Sequence, residues 1–479
     1  MKKKLFFAAA AIAMLASCSQ NDELTQPTVA QNENTPVSFG TYIGRQVQTR
    51  SGISGDIDAS ASALAAKNGF GVFAYYTGSS DWSTVETTAT PNFMYNEHVT
   101  SANSGTTWTY SPIKYWPNQY NNGDVDAADP TTEVDEATAA SNAGKVSFFA
   151  YAPYVSVTAG AAANTAYGIT ALSTNAATGH PTATYKLAKG QQDSEGNDFV
   201  DLLWGVKVNG AKEASPTTDT YNVDLTKNSA NLTSADKEGK VSFLFKHALT
   251  KVGGSDAMKI VYDIDGNGTG ETGAGSDDAN TLVTVGDITI KNVENKIINE
   301  GTFDLATGTW NTTSLATVAE GAAINLHFTP TGDGDDIQLN SAIAETTPAY
   351  SAGAWTTPTG GGVKAGTAKD VYASTGKSIY FIPGTQDQQL KVTITYTVRT
   401  YDDKLATSAS GGEGTWTKVT QTISNIVTLP TTLIKSNKKI TLVIHLGLTS
   451  VKFTANVDSW EDVDGSDAEE IWLPSNILP

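Results

Sequence analysis

Residues 390–401 read LKVTITYTVRTY, and apolar and polar side chains alternate along the whole stretch. Because successive side chains of a strand point to opposite faces, this alternation indicates a long β-strand with one buried face. The stretches 415–427 and 438–447 follow it and have the same character. The sequence around residue 390 therefore predicts an all-β fold.

Shorter runs of the same kind recur along the rest of the chain, separated by segments rich in Gly, Thr and Asn. A short helix is predicted at 59–67. Strands are predicted at 37–43, 70–76, 93–99, 108–110, 145–151, 198–204, 241–251, 258–264, 282–293, 324–330, 378–383 and 451–460. Two sets of strands without long helices predict two tandem β-sandwich domains, at 51–253 and 254–479.

The N-terminus carries an export signal. Lysines at positions 2 to 4 precede the apolar run Leu5–Leu15, which has about half of the ~20 residues that span a bilayer. The run ends in LASC, where small residues before Cys18 resemble a bacterial lipobox. Residues 1–17 are therefore predicted to be a lipoprotein signal peptide, with palmitate added at Cys18. The alternative is an ordinary signal peptide with an incidental cysteine.

Composition excludes several classes of protein. The net charge of -19 argues against binding to nucleic acid or to an anionic membrane surface. Cys18 is the only cysteine, so an internal disulfide is excluded. Residues 18–36 are polar and lack aromatics, which is typical of a disordered tether. With no other apolar run of sufficient length, the lipid is the expected anchor to the outer membrane.

A set of aromatic motifs carries a more specific resemblance. They occur in order at 70–76 (FGVFAYY), 93–99 (FMYNEHV), 108–117 (WTYSPIKYWP), 147–154 (SFFAYAPY), 199–205 (FVDLLWG), 243–252 (FLFKHALTKV), 288–310, 379–384 (IYFIPG) and 440–460. Together they resemble the fimbrillin-like family of Bacteroidales, the type V pilins. The resemblance implies two transthyretin-like β-sandwich domains in a lipidated precursor. It also implies an arginine-specific protease that removes the first strand, and a donor strand from another subunit that fills the groove.

The region 37–50 matches the segment that such a protease would remove. Its first strand is predicted to contain Val37, Phe39, Thr41 and Ile43. The chain has only three arginines, and Arg45 and Arg50 both follow this strand. Cleavage is expected at one of them, with Arg50 favoured because it frees all of 37–47. The alternative is two arginines that merely lie at an exposed strand end.

The C-terminus is the candidate donor strand. After an acidic stretch come Ile471, Leu473, Ile477 and Leu478, which give the chain an apolar end. Two hypotheses remain open: the tail fills the groove of another subunit, or it folds back on its own domain. Prolines in the tail shorten any strand there.

Two other features have both a functional and a structural interpretation. The aromatics at 108–120 suit either a sugar-stacking platform or packing in the sandwich core, and core packing is favoured. Asp263, Asp265 and Asn267 match the first half of a calcium loop, but position twelve of the loop is Ala274 rather than glutamate. A simple turn is preferred there, so no metal and no cofactor are expected.

The sequence contains no pattern of catalytic residues. Its five histidines are far apart, no GxSxG motif occurs and Cys18 is committed to lipid. This absence, together with the resemblance to fimbrillin-like proteins, predicts that the chain is not an enzyme but a structural subunit (stalk, tip or accessory) of a cell-surface fimbrium that mediates adhesion. Its expected partners are other fimbrillin subunits, an arginine-specific protease and a ligand on a host or bacterial surface. The alternative is a monomeric surface lipoprotein that binds glycans.

Overall fold

The protein is described by a computed structural model. The residues that it describes are 36–41, 61–117, 144–162, 167–187, 201–208, 219–226, 240–253, 258–262, 273–274, 281–311, 315–328, 337–338, 350–351, 354–355, 363–364, 369–370, 378–402, 415–446, 451–459, 469–473 and 475–476.

The two described helices are short, α1 (Ala61–Ala66) and α2 (Trp82–Val85). The strands up to the middle of the chain are β1 (Ser38–Thr41), β2 (Phe70–Gly78), β3 (Met94–Val99), β4 (Lys145–Ala152), β5 (Val157–Thr158), β6 (Ala161–Ala162), β7 (Ile169–Leu172), β8 (Thr182–Lys186), β9 (Leu203–Val208), β10 (Asp219–Thr220), β11 (Asn222–Leu225), β12 (Lys240–His247) and β13 (Thr250–Gly253).

The remaining strands continue to the C-terminus. They are β14 (Met258–Tyr262), β15 (Gly273–Ala274), β16 (Thr281–Asn292), β17 (Glu300–Asp304), β18 (Thr309–Trp310), β19 (Asn325–Phe328), β20 (Ile337–Gln338), β21 (Tyr350–Ser351), β22 (Ala354–Trp355), β23 (Val363–Lys364), β24 (Lys369–Asp370), β25 (Ser378–Phe381), β26 (Gln388–Asp402), β27 (Thr415–Leu429), β28 (Lys438–Leu446), β29 (Val451–Ser459), β30 (Glu469–Leu473) and β31 (Ser475–Asn476). The all-β class predicted from the sequence is confirmed.

The first sheet has the strand order β1-β12-β9-β4-β2-β3, with β10 beside β9 and β11 beside β4. Its central strands β2 and β4 are buried on both faces, which explains why FGVFAYY and KVSFFAYA are almost wholly apolar rather than alternating. A second sheet, β18-β17-β8-β7-β6-β5, supplies side chains to one of these faces: Trp204 of β9 meets Phe303 of β17 with ring centroids 5.5 Å apart.

Two further sheets are formed by the second half of the chain. In one, β28 lies between β29 on one side and the consecutive strands β13 and β14 on the other, and β30 extends the sheet beyond β29. In the other, β26 lies between β16 and β27. The stretch 390–401 falls on β26, whose Leu390, Val392, Ile394 and Tyr396 are buried as the alternation predicts.

Two hydrophobic clusters hold these sheets together. The first core lies on one face of the first sheet and also includes side chains from segments outside its strands. It contains Phe39, Phe70, Trp108, Phe148 and Phe243. The second core runs from the other face of the first sheet, through Tyr185 and Phe303, to the sheets of the second half. The boundary predicted at 253/254 stays a prediction, and one sheet crosses it: Phe303 of β17 pairs with Ala183 of β8.

The junction between the halves is a two-residue break in what the sequence predicts as one strand, 241–251. Ala248 and Leu249 separate β12 from β13 and are both fully buried. The Ala248 carbonyl accepts hydrogen bonds from the Trp310 indole at 2.7 Å and from the Ser436 hydroxyl at 2.8 Å. The single predicted strand is therefore wrong at this point, because these bonds hold its main chain out of the sheet ladder.

Two further expectations have clear outcomes. The helix predicted at 59–67 is confirmed as α1. The strand predicted at 108–110 is wrong: its main chain makes only an isolated bridge, between Thr109 and Thr100. Among the described residues, neither helix has the length and apolar character that a membrane crossing requires.

Candidate functional site

The strand β1 lies at the edge of the first sheet and is the predicted first strand. It pairs in parallel with β12, with Ser38 opposite Lys240 and Thr41 opposite Phe243. Two parallel strands need a crossover connection between them. Here that connection is the whole stretch 42–239, most of the first half of the chain. The first residues of the fold thus complete a sheet whose other strands come much later.

Side chains of this short strand are embedded in the first core. Val37, directly before β1, is 1% exposed and Phe39 is 3% exposed, whereas Thr41 is half-buried. The predicted alternation of Val37 and Phe39 into the core is therefore confirmed. Burying these two side chains is worth about 2–3 kcal/mol each by the area removed from water.

Phe39 occupies a socket made of other aromatic rings. Its ring centroid lies 5.2 Å from that of Tyr110, 6.1 Å from Phe148, 6.2 Å from Phe243 and 6.4 Å from Phe70. Three of the four pairs are edge-to-face, an arrangement that adds about 0.5–1.5 kcal/mol per pair beyond area burial. A smaller side chain at position 39 would leave this socket unfilled.

A second wall of the site is the segment Tyr110–Trp116, which we call the clasp. The Val37 amide donates to the Lys114 carbonyl at 2.8 Å, and the Tyr110 hydroxyl donates to the Val37 carbonyl at 2.7 Å. Pro36 forms an antiparallel bridge with Tyr115. The clasp therefore binds the main chain of the first strand at its N-terminal end, while β12 binds it along the other side.

The hydroxyl of Tyr110 is protonated and can donate a hydrogen bond. Desolvation raises the pKa of Tyr110 above its usual value, against the lowering effect of its hydrogen bond to Lys114. The hydroxyl stays protonated at neutral pH and can satisfy the Val37 carbonyl. The same hydroxyl accepts a hydrogen bond from the Lys114 amide at 3.2 Å, so one side chain closes the clasp and holds the strand.

The aromatics of this region divide between core and surface. Trp108, Tyr110 and Trp116 are each at least 92% buried, and Trp116 packs on Phe148. Core packing, rather than a sugar-stacking platform, accounts for these three rings. Ile113 and Tyr115 point outward instead and are 48% and 49% exposed.

The other predicted site residues have different outcomes. Cys18, Ile43, Arg45, Arg50, Asp263, Asp265, Asn267, Ile477 and Leu478 lie outside the described residues. Ile471 and Leu473 lie on β30, which pairs with β29 of the same chain, Ile471 opposite Ala455 and Leu473 opposite Phe453. In the single chain this part of the tail is folded back on its own domain.

Sequence reasoning missed one buried polar pair and the clasp. His247 Nδ1 hydrogen-bonds to the Asp201 carboxylate, and both residues are at least 96% buried. The charge of Asp201 inside the apolar motif FVDLLWG was the available signal. Nothing local marks the clasp, because its partner strand is more than 70 residues earlier in the chain. Within the described ranges, no three His, Cys, Asp or Glu side chains converge as a metal site.

Comparison with known proteins places this fold. No protein-family model matches the chain. It is 26% identical over 480 residues to the fimbrium subunit Fim1C of Phocaeicola vulgatus, covering 98% of this chain and 99% of that protein. The crystal structure of a fimbrial protein from Bacteroides vulgatus has the same fold, with 22% identity, a TM-score of 0.51 and coverage of 89% of this chain and 100% of that chain. Both relatives are named as fimbrial proteins and not as enzymes. The resemblance to the fimbrillin-like proteins of Bacteroidales is thereby confirmed, through a full-length relative that is a fimbrium subunit.

Proposed function

We propose that the chain is a structural subunit of a fimbrium at the cell surface, as a stalk, tip or accessory component that mediates adhesion. The support is similarity along nearly the whole chain to a fimbrium subunit, together with the fold of a fimbrial protein. Other fimbrillin subunits are its direct partners, and a ligand on a host or bacterial surface is the target of adhesion.

Assembly starts from a lipidated precursor. Cys18 carries the lipid that anchors it in the outer membrane, and an arginine-specific protease cuts after Arg45 or Arg50. The cut separates Val37, Phe39, Thr41 and Ile43 from the rest of the chain. The observation that carries this proposal is the burial of Val37 and Phe39 in an aromatic core. Both belong to one short segment at the edge of the first sheet.

Loss of the strand creates a site for a second strand. The main chain of β12 loses its hydrogen-bonding partner, and the socket around Phe39 loses its occupant. An incoming strand satisfies both, which is the physical basis of strand addition to a sheet edge. Replacing rather than abandoning the strand avoids exposing about 4–6 kcal/mol of apolar burial.

The C-terminal tail is the proposed donor. Ile471 and Leu473 sit on β30, which among the described strands pairs only with β29. As an edge strand, β30 can detach from β29 without crossing another strand, and the next strand, β31, must then also leave its pairing with β27. Ile477 and Leu478 extend the apolar tail and supply further side chains to the socket of a neighbouring subunit.

N-terminal sequencing and intact mass of the protein from its native cell surface test this proposal. A start at Gln46 or Ser51, together with SDS-resistant oligomers, is the expected result. A start at lipidated Cys18 in the oligomeric form would contradict processing and strand exchange.

A monomeric, glycan-binding lipoprotein is the second candidate, and one surface feature favours it. A surface cavity of about 520 Å³ is lined by Tyr154 and Tyr167 together with Asn68, Thr100 and Ser156. Tyrosine faces and short polar side chains suit a sugar. This function predicts a start at Cys18 and glycan binding that is lost in Tyr154→Ala, whereas a fimbrial subunit keeps its oligomers in that variant.

A further inference from the structure

The clasp favours one direction for the strand that it binds. Val37 presents both its amide and its carbonyl to the clasp, where the Lys114 carbonyl accepts and the Tyr110 hydroxyl donates. A strand running the opposite way would place its carbonyl against the Lys114 carbonyl, whereas the Tyr110 hydroxyl would still accept from its amide. Two acceptors would then face each other in a buried site, at a cost of about 1–3 kcal/mol.

This direction fixes where the body of a donor subunit must lie. A strand that replaces β1 with the same direction runs parallel to β12 and enters at the end now occupied by Pro36. A C-terminal tail is connected to its own domain through its N-terminal end. The donor's folded domains therefore lie next to the Pro36 end, beside the clasp.

Two apolar side chains are exposed at that end. Ile113 and Tyr115 are 48% and 49% exposed, and Tyr115 itself bridges to Pro36. Among the described residues, only Val419 is another large hydrophobic side chain with comparable exposure, at 53%. Two neighbouring exposed apolar side chains therefore lie next to the mouth of the strand site, where the body of the donor would contact them.

We propose that Ile113 and Tyr115 form the surface on which the body of the donor subunit, a second copy of this chain, rests once its strand is inserted. The proposal rests on the proposed function. It goes beyond strand exchange, because it assigns a second contact between adjacent subunits outside the groove. Strand and body then bind together, so the local concentration of the tail at the groove is raised by the docked body.

The test compares two exposed-residue variants of the full chain. After cleavage by an arginine-specific protease, formation of SDS-resistant ladders is followed over time for the wild type, for Ile113→Asp with Tyr115→Asp, and for the control Val419→Asp. Charges placed in an apolar contact are expected to slow ladder formation about tenfold in the double variant. The control variant is expected to match the wild type.

Two additional measurements separate the docking surface from the groove. Release of the cleaved first strand is followed by mass spectrometry in every variant, and ladder formation is timed only after release is complete, because Tyr115 belongs to the clasp and bridges to Pro36. A photo-crosslinking benzoyl-phenylalanine at position 115 is expected to crosslink to the neighbouring subunit within ladders and not within monomers.

The outcomes distinguish this inference from the proposed function. Wild-type ladders with equally fast ladders from the double variant, or without a crosslink from position 115, overturn the docking surface and leave strand exchange standing. Absence of ladders from the cleaved wild type overturns strand exchange, and the docking surface with it. Slow ladders from the double variant, timed after complete release of the first strand, support both.

Discussion

The Tyr110 hydroxyl donates a hydrogen bond of 2.7 Å to the main-chain carbonyl of Val37, joining the clasp to the first strand. Both partners are buried, with Tyr110 8% and Val37 1% exposed. Because the bond goes to the main chain, any strand of the same direction can accept it in place of the first one. In the proposed strand exchange, Tyr110 is therefore suited to hold both the strand that leaves and the strand that arrives.

Replacing Tyr110 with phenylalanine is expected to speed the release of the first strand after cleavage. The variant keeps the ring contact with Phe39 but leaves the Val37 carbonyl unpaired, which costs about 1 kcal/mol or roughly a fivefold change in rate. Dissociation of the cleaved fragment is measured by mass spectrometry. Tyr95→Phe is the matched control, since the Tyr95 hydroxyl bonds to the Ser173 carbonyl at 3.0 Å, away from the strand. Equal release rates in the two variants would contradict this role of Tyr110.

Truncation of Phe39 is expected to destabilise the uncleaved protein. Phe39→Ala empties a socket of four aromatic rings and should lower the free energy of unfolding by about 3–4 kcal/mol, measured by urea denaturation. Phe39→Leu should cost less because it fills part of the space. Ser38→Ala, at the neighbouring half-buried position of β1, is the control and should change the free energy by less than about 1 kcal/mol. A cost for Phe39→Ala as small as that of the control would show that the socket closes without its occupant.

The two arginines after the first strand allow the cleavage site to be assigned. Arg50→Ala is expected to prevent maturation if cleavage at Arg50 is the productive one, and the native protein should then retain residues 37–50. Arg45→Ala should mature normally. Mass spectrometry of the surface protein distinguishes the two, and the double variant is the control for loss of all cleavage. Normal maturation of Arg50→Ala with failure of Arg45→Ala would reverse the assignment.

High pH is expected to destabilise the fold through buried tyrosines. Burial raises the pKa of Tyr75, Tyr151 and Tyr185 above the usual tyrosine value of about 10. Below that value both states are protonated and the stability is fully present. Above it the unfolded chain loses these protons while the folded chain keeps them, so the free energy of unfolding falls as pH rises. Urea denaturation from about pH 8 to about pH 11 measures the slope. Ionisation of all 18 tyrosines at the ordinary pKa in the folded protein, measured by phenolate absorbance, would refute this account.

The parts of the fold that the sequence predicts are those written in local periodicity. Val37 and Phe39 alternate with Ser38 and Gly40, and the strand follows from that pattern alone. No strand is predicted at 300–310, where β17 lies, and nothing in that stretch indicates that β17 pairs with β8 across the expected domain boundary. Pairing over such a separation depends on the packing of the complete chain, for example on the contact between Trp204 and Phe303.

The candidate site, too, could be predicted from the sequence only in part. Its occupant was predicted, because an alternating strand followed by two arginines is visible in the printed sequence. Its second wall, the clasp, is not predicted, and only Tyr110 falls within the strand expected at 108–110, where aromatic residues favour a strand. In the fold that segment uses Tyr110 and Lys114 to bind the main chain of residue 37 rather than to extend a sheet.

The parallel pairing of β1 with β12 also has a mechanical consequence. A pull along the axis of the strand in this position loads its hydrogen bonds to β12 together, in shear, instead of opening them one after another. From β12 the tension passes through Ala248 and Leu249 into β13, which pairs in parallel with β28. Trp310 and Ser436 brace the carbonyl of Ala248 at this point. The paired strands therefore transmit a pulling force without interruption from the edge of the first sheet to the centre of the second half. A subunit of a fibre under flow would need this property.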